Sequence, residues 1–157
     1  MGAYLPEKPI RIAFDVGGVL SKYPGVFIPL LAVLHRTPGV EVYILSDMHP
    51  VDKIIDMLEL NGINFYKHRT YSADYKTHGE DCKAVLCKEL GIDILIDDFI
   101  GYVATPGASP VRLLVMPDSS LPYYANEWQT DGSEGDFGRR NPPGSKRPPE
   151  GRLKQDV

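Results

Sequence analysis

Three short apolar runs in this chain stop abruptly at residues that could do chemistry. Ile10 to Phe14 ends at Asp15, Val40 to Leu45 at Ser46-Asp47, and Ile92 to Ile96 at Asp97-Asp98. One acidic residue at a strand end ordinarily caps a helix or sits in a loop. Three such ends in one chain suggest more. In an open parallel sheet the carboxyl ends of the strands form the ligand crevice, so Asp15, Ser46, Asp47, Asp97 and Asp98 should converge. Converging carboxylates repel unless a cation lies between them. Oxygen donors suit Mg²⁺, which takes few carboxylates and keeps several waters. The four histidines, His35, His49, His68 and His78, show no zinc-type pairing.

The elements that must position these residues follow from the same runs. Val111 to Met116 is a fourth apolar run, ending at Pro117-Asp118, and Ile63 to Tyr66 is read as a fifth, shorter one. Runs this short and apolar fit strands buried on both faces. Helical spacing lies between them. Val51, Ile54, Ile55 and Leu58 follow an i, i+3, i+4, i+7 pattern, with Pro50 opening it and Asn61-Gly62 closing it. Glu80 to Leu90 predicts a second helix with Val85, Leu86 and Leu90 inward and Gly91 as its stop. Val26 to Arg36 predicts a third, weakened by Pro29. The alternation predicts an α/β class: a Rossmann-like, three-layer fold around a central, mainly parallel sheet.

With the motifs in place, the chain resembles the haloacid dehalogenase-like hydrolase superfamily. Phe14-Asp15-Val16-Gly17-Gly18-Val19-Leu20 resembles its first motif, and Tyr43-Ile44-Leu45-Ser46-Asp47 its second. Lys83, ahead of the third run, fits the third motif, and Ile94-Leu95-Ile96-Asp97-Asp98 the fourth. The resemblance covers roughly residues 10–116. It implies a Mg²⁺-dependent phosphatase or nucleotidase in which Asp15 is the nucleophile, Ser46 binds a phosphoryl oxygen and Lys83 neutralises charge. The metal would be held by Asp15, the Gly17 carbonyl, and Asp97 or Asp98. Gly18, Asp47 and Lys76 are the candidate substrate contacts, and Lys76 is also the alternative for the motif lysine.

One departure bears on turnover. Phosphatases of this family usually carry an acid two residues after the nucleophile, and here that position is Gly17. General acid–base catalysis is worth about 10² to 10⁴-fold. Three readings stay open: substrates with good leaving groups, a proton from His49 or Asp47, or a catalytically silent domain that binds metal or phosphate. The spacing is also informative. Asp15 to Ser46 spans only about 30 residues, and Ser46 to Lys83 holds one helix and a short strand, so no cap domain is expected. A capless site is open to a large phosphorylated substrate, nucleotide or macromolecule, and a homo-oligomer is among the expected partners. Tyr66 to His78 reads as a loop whose Lys67, His68, Arg69, Tyr71, Tyr75, Lys76 and His78 could meet a phosphate or a base.

Composition divides the chain. Gly and Pro make up 29 of 157 residues, and ten of those fall in 122–157. Residues 1–121 are thus expected to form the body and 122–157 a flexible Gly/Pro-rich tail, although Tyr123, Tyr124 and Trp128 could pack back on the body. The tail holds six acidic and six basic residues, so the body carries the whole net charge of −4. That argues against a general nucleic-acid binder. No apolar run approaches the roughly 18 residues of a membrane span. No secretory leader is visible, Cys82 and Cys87 do not suggest a disulfide framework, and a cytoplasmic setting is expected.

Overall fold

The structure is a computed structural model that describes residues 7–107 and 109–130. Five strands, β1 (Ile10–Phe14), β2 (Val40–Ser46), β3 (Thr70–Ser72), β4 (Ile94–Asp97) and β5 (Val111–Leu114), form one sheet in the order β3-β2-β1-β4-β5. Every pairing is parallel. The chain is therefore an α/β fold with an all-parallel central sheet and helices on both faces. The strand order reverses between β1 and β4, the place where open α/β sheets leave a crevice.

Side-chain alternation assigns the two faces. Ile12 and Phe14 of β1, Val42 and Ile44 of β2 and Ile96 of β4 pack with α1 (Pro24–His35) and α2 (Val51–Leu60). Ala13, Tyr43, Leu45 and Leu95 pack on the other face against Cys87 of α4 (Cys82–Leu90). Two short helices, α3 (Tyr75–His78) and α5 (Ile100–Ala104), join that second layer through a cluster of Ala73, Cys82 and Tyr102. The link from β1 to β2 holds one kinked turn and α1, and that from β2 to β3 holds α2 and a 3₁₀ turn, so no inserted domain stands among the described residues. None of the described helices is long and apolar enough to cross a membrane.

Several sequence expectations change. Ile63 to Tyr66 is not a strand; Tyr66 is buried and donates its hydroxyl to the Leu31 carbonyl at 2.7 Å. The third strand lies later, at Thr70–Ser72, inside the segment read as a basic loop. That segment is instead a 3₁₀ turn at Lys67–Arg69, β3 and α3. In α4 the fully buried positions are Cys82, Lys83 and Cys87 rather than Val85, Leu86 and Leu90. Leu86 and Leu90 do pack on the second face beside Cys87, as their spacing implies, but the most buried positions go to Lys83 and the two cysteines, and Val85 joins neither the Cys87 cluster nor the Tyr102 cluster.

The boundary at residue 121 falls inside the packed body. Tyr123, Tyr124 and Trp128 are buried in the α1–α2 core, and Trp128 is the largest fully buried side chain among the described residues. Asn61, at the end of α2, clamps the segment: its Nδ2 donates to the Gln129 carbonyl at 2.9 Å, and its Oδ1 accepts from the Gln129 amide at 2.7 Å. Residues 131–157 lie outside the described residues.

Candidate active site

Strand pairing explains why the acidic residues meet. Phe14 is in register with Ile96 of β4 and with Ile44 of β2, so Asp15 and Asp97 emerge side by side at the carboxyl edge. The Asp15 amide also donates to the Ile96 carbonyl at 3.0 Å, extending the pairing by one residue. Side chains alternate along each strand, so Asp15 and Asp97 lie on the same face as Ala13 and Leu95. That face is covered by α4, which supplies Lys83.

Lys83 is completely buried, and its Nζ sits 2.8 Å from Asp15 Oδ1. The same ammonium donates to Asp97 Oδ2, and Asp97 Oδ1 accepts the Phe99 amide at 2.9 Å. Burial alone would strip Lys83 of its proton. The carboxylates of Asp15, Asp97 and Asp47 outweigh that and hold its pKa above the ordinary lysine range. Asp97 is pushed above the usual carboxylate range, first by burial and then by the charge of Asp15, with Lys83 opposing. The cluster thus holds more negative charge than one ammonium balances.

Asp15, Asp97 and Asp98 each offer an oxygen, and these oxygens lie within 4.8 Å of one another. Ligands on opposite sides of one Mg²⁺ are about 4 Å apart, so this all-oxygen set fits a hard divalent cation that keeps some of its waters. It lacks the imidazole and thiolate donors that favour zinc.

The loop after Asp15, Val16–Leu20, is a kinked turn, buried throughout and closed by the Ser21 amide donating to the Val16 carbonyl at 2.9 Å. Gly18 has φ 74°, a left-handed value that excludes most side chains. Gly17, at φ −67° and ψ 128°, has an ordinary extended backbone open to any residue. The Gly18 amide donates to Ser21 Oγ at 3.1 Å, so a substrate oxygen there would have to displace that bond. Ser21 Oγ donates in turn to the Tyr123 carbonyl at 3.4 Å, and the Ala125 amide donates to the Ser21 carbonyl at 2.8 Å. The segment at Tyr123–Ala125 therefore braces the loop that follows Asp15.

The remaining candidates separate. Ser46 is fully buried at the tip of β2; its Oγ accepts the Met48 amide at 3.2 Å and donates to no group among the described residues. Asp47 is buried and accepts the hydroxyl of Tyr102. Lys76 is exposed on α3, and no ion pair among the described residues joins it to the carboxylates, so the structure brings Lys83 and not Lys76 to them. His49 is exposed, with Nδ1 at 2.6 Å from Ser72 Oγ and Nε2 at 3.0 Å from the Ala73 carbonyl.

Sequence reasoning missed Tyr102. It is buried on α5, with its hydroxyl on Asp47 and its ring centroid 4.9 Å from Lys83 Nζ. A five-residue helix is too short for a periodic signal, and nothing in the sequence links position 102 to position 47 or 83. Burial and the Asp47 charge drive its phenol pKa far upward, so it stays a neutral donor. Comparison with protein-family models, curated proteins and solved structures gave no match, so the chemical reading rests on these residues and their geometry.

Proposed function

We propose that this chain is a Mg²⁺-dependent phosphohydrolase of the haloacid dehalogenase-like type, working through an aspartyl-phosphate on Asp15. The observation that carries the reading is the buried ammonium of Lys83 held between Asp15 and Asp97, with Asp98 completing an oxygen cluster at the strand-order switch point. A lysine there lowers the repulsion of the site toward an incoming phosphate dianion. Asp15, Asp97 and Asp98 would hold the metal, which when bound supplies charge neutralisation on the phosphoryl oxygens. Ser46, with its hydroxyl hydrogen still to place, supplies a donor to one of those oxygens. A carboxylate nucleophile divides one displacement into two easier ones.

The test is hydrolysis of acetyl phosphate and nitrophenyl phosphate with Mg²⁺ and with EDTA. Asp15→Asn should lower the rate by about 10⁴-fold or more, as nucleophile removal does elsewhere. Equal rates in wild type and Asp15→Asn would overturn the mechanism. Gly17 motivates a second reading, a silent domain that binds metal and phosphate. It predicts calorimetric binding of Mg²⁺ without turnover of any phosphate tested.

A further inference from the structure

On the phosphohydrolase reading Asp15 attacks phosphorus, but Asp47, His49 and Lys83, the nearby candidates for handing a proton to the departing oxygen, are each engaged by another group. Gly17 has no side chain, although its backbone angles would accept one. Asp47 accepts the hydroxyl of Tyr102, whose raised pKa keeps the proton on the phenol. Both nitrogens of the His49 ring are engaged, by Ser72 Oγ and the Ala73 carbonyl. The Lys83 ammonium is buried between the carboxylates of Asp15 and Asp97.

We propose that the substrates of this site are phosphate compounds whose leaving group departs as a stable anion: acyl phosphates, phosphoanhydrides such as nucleoside polyphosphates, or acidic aryl phosphates, rather than phosphate esters of simple alcohols. The inference rests on the phosphohydrolase reading and narrows it. In the first step an oxygen of the Asp15 carboxylate attacks phosphorus. A P–O bond forms to Asp15, the P–O bond to the leaving group breaks, and the leaving group takes the electron pair as RO⁻. In the second step water attacks phosphorus, the Asp15 carboxylate leaves, and both water protons end on the product as H₂PO₄⁻. An alkoxide is a poor anion and needs a proton in flight; a carboxylate, phosphate or acidic phenolate does not. Gly17 likewise offers no side chain to activate the water of the second step, so the phosphorylated Asp15 should accumulate.

The experiment uses the full chain with Mg²⁺ and a series of substrates: acetyl phosphate, ring-substituted aryl phosphates of graded acidity, and glycerol phosphate. For wild type, kcat/KM should fall steeply as the leaving group becomes more basic, with glycerol phosphate at least about 10²-fold below acetyl phosphate. Acid-quenched intact mass should show one phosphoryl group on Asp15. Gly17→Asp should flatten the series by raising the glycerol phosphate value, and Gly17→Asn, similar in shape but without a proton to give, should not. Comparable kcat/KM for glycerol phosphate and acetyl phosphate in wild type, both lost in Asp15→Asn, would overturn the inference while keeping the phosphohydrolase reading. No Asp15-dependent turnover and no phosphoenzyme with acetyl phosphate would overturn both.

Discussion

The two faces of the sheet use the same alternation for opposite ends. On one face Phe14, Ile44 and Ile96 meet α1, α2 and the aromatic residues of the C-terminal segment, and the contacts are almost wholly apolar. On the other face Ala13, Leu45 and Leu95 start the same way. Two residues further along each strand, Asp15, Asp47 and Asp97 take the inward position, and Lys83 and Tyr102 meet them. Apolar burial is worth roughly 25 cal/mol per Å² and tolerates small changes. Buried charge pairs gain little net stability over apolar packing but lose much when one partner goes. The first face should therefore set how stable the fold is, and the second what it can do.

The largest way to break the second face is Lys83→Met. It fills similar space but leaves Asp15 and Asp97 facing each other without a cation. Removing one partner of a buried pair costs about 3–5 kcal/mol. Urea unfolding in EDTA should show that loss, and saturating Mg²⁺ should recover part of it by replacing the missing charge. Phosphatase activity should not recover with it. A Lys83→Met protein as stable as wild type in EDTA would show that the carboxylates share a proton rather than a lysine.

The first face is tested by Trp128. Trp128→Ala should cost about 3–5 kcal/mol, the usual range for emptying a buried aromatic site. The indole Nε1 is buried without a hydrogen-bond partner among the described residues. A buried orphan donor carries its own penalty of about 1–3 kcal/mol. Trp128→Phe removes that donor with most of the ring kept, so it should cost far less than alanine. Thermal melts distinguish the pair, and kcat per folded molecule for both should stay nearer wild type than that of any second-face variant.

Tyr102→Phe is a smaller cut into the second face. It keeps the ring against Lys83 and removes only the donor to Asp47. Leaving a buried acceptor unsatisfied costs about 1–3 kcal/mol. Because Asp47 helps hold the Lys83 charge, kcat should fall while the affinity for Mg²⁺ measured by calorimetry stays close to wild type. Loss of metal binding in Tyr102→Phe would mean that Tyr102 shapes the whole carboxylate cluster.

The faces also differ in how readable they were. The first, second and fourth strands stand out in the sequence as apolar runs because they lie inside the parallel sheet. The fifth is also an apolar run, but it is an edge strand with Val111 and Leu113 exposed, so the expectation of burial on both faces fails there. The carboxylates stand out because they interrupt those runs. β3 does not, since Thr70–Ser72 is a short polar edge strand recruited by pairing with β2. α4 was legible in part: Leu86 and Leu90 face the core as their spacing implies, while its most buried positions are Lys83 and two cysteines, which apolar periodicity does not mark. Tyr102 and the Ser21–Tyr123 contact join residues 55 and 102 positions apart from their partners, and such pairings leave no local trace. Residues 122–130 looked like tail because their surroundings are rich in Gly and Pro, while their burial depends on three aromatic side chains finding the α1–α2 core.

The finest distinction between the faces is their response to pH. The second carries a buried carboxyl group, Asp97, with its folded pKa above the ordinary range. Unfolded Asp titrates near 4, so the folded chain binds the Asp97 proton more tightly than the unfolded one does. The stability this gives is complete below about pH 4 and is lost as pH rises through the folded value. Lys83, also raised, keeps its contribution throughout this window and loses it only above the ordinary lysine range near 10. In EDTA, wild-type stability should thus fall between about pH 5 and 7 relative to Asp97→Asn, by up to about 1.4 kcal/mol per pH unit. With Mg²⁺ the trend should weaken or reverse, since the metal binds the deprotonated ligands. Urea midpoints at three pH values, with and without Mg²⁺, give both slopes. Parallel wild-type and Asp97→Asn slopes in EDTA would place the proton on another carboxylate of the cluster.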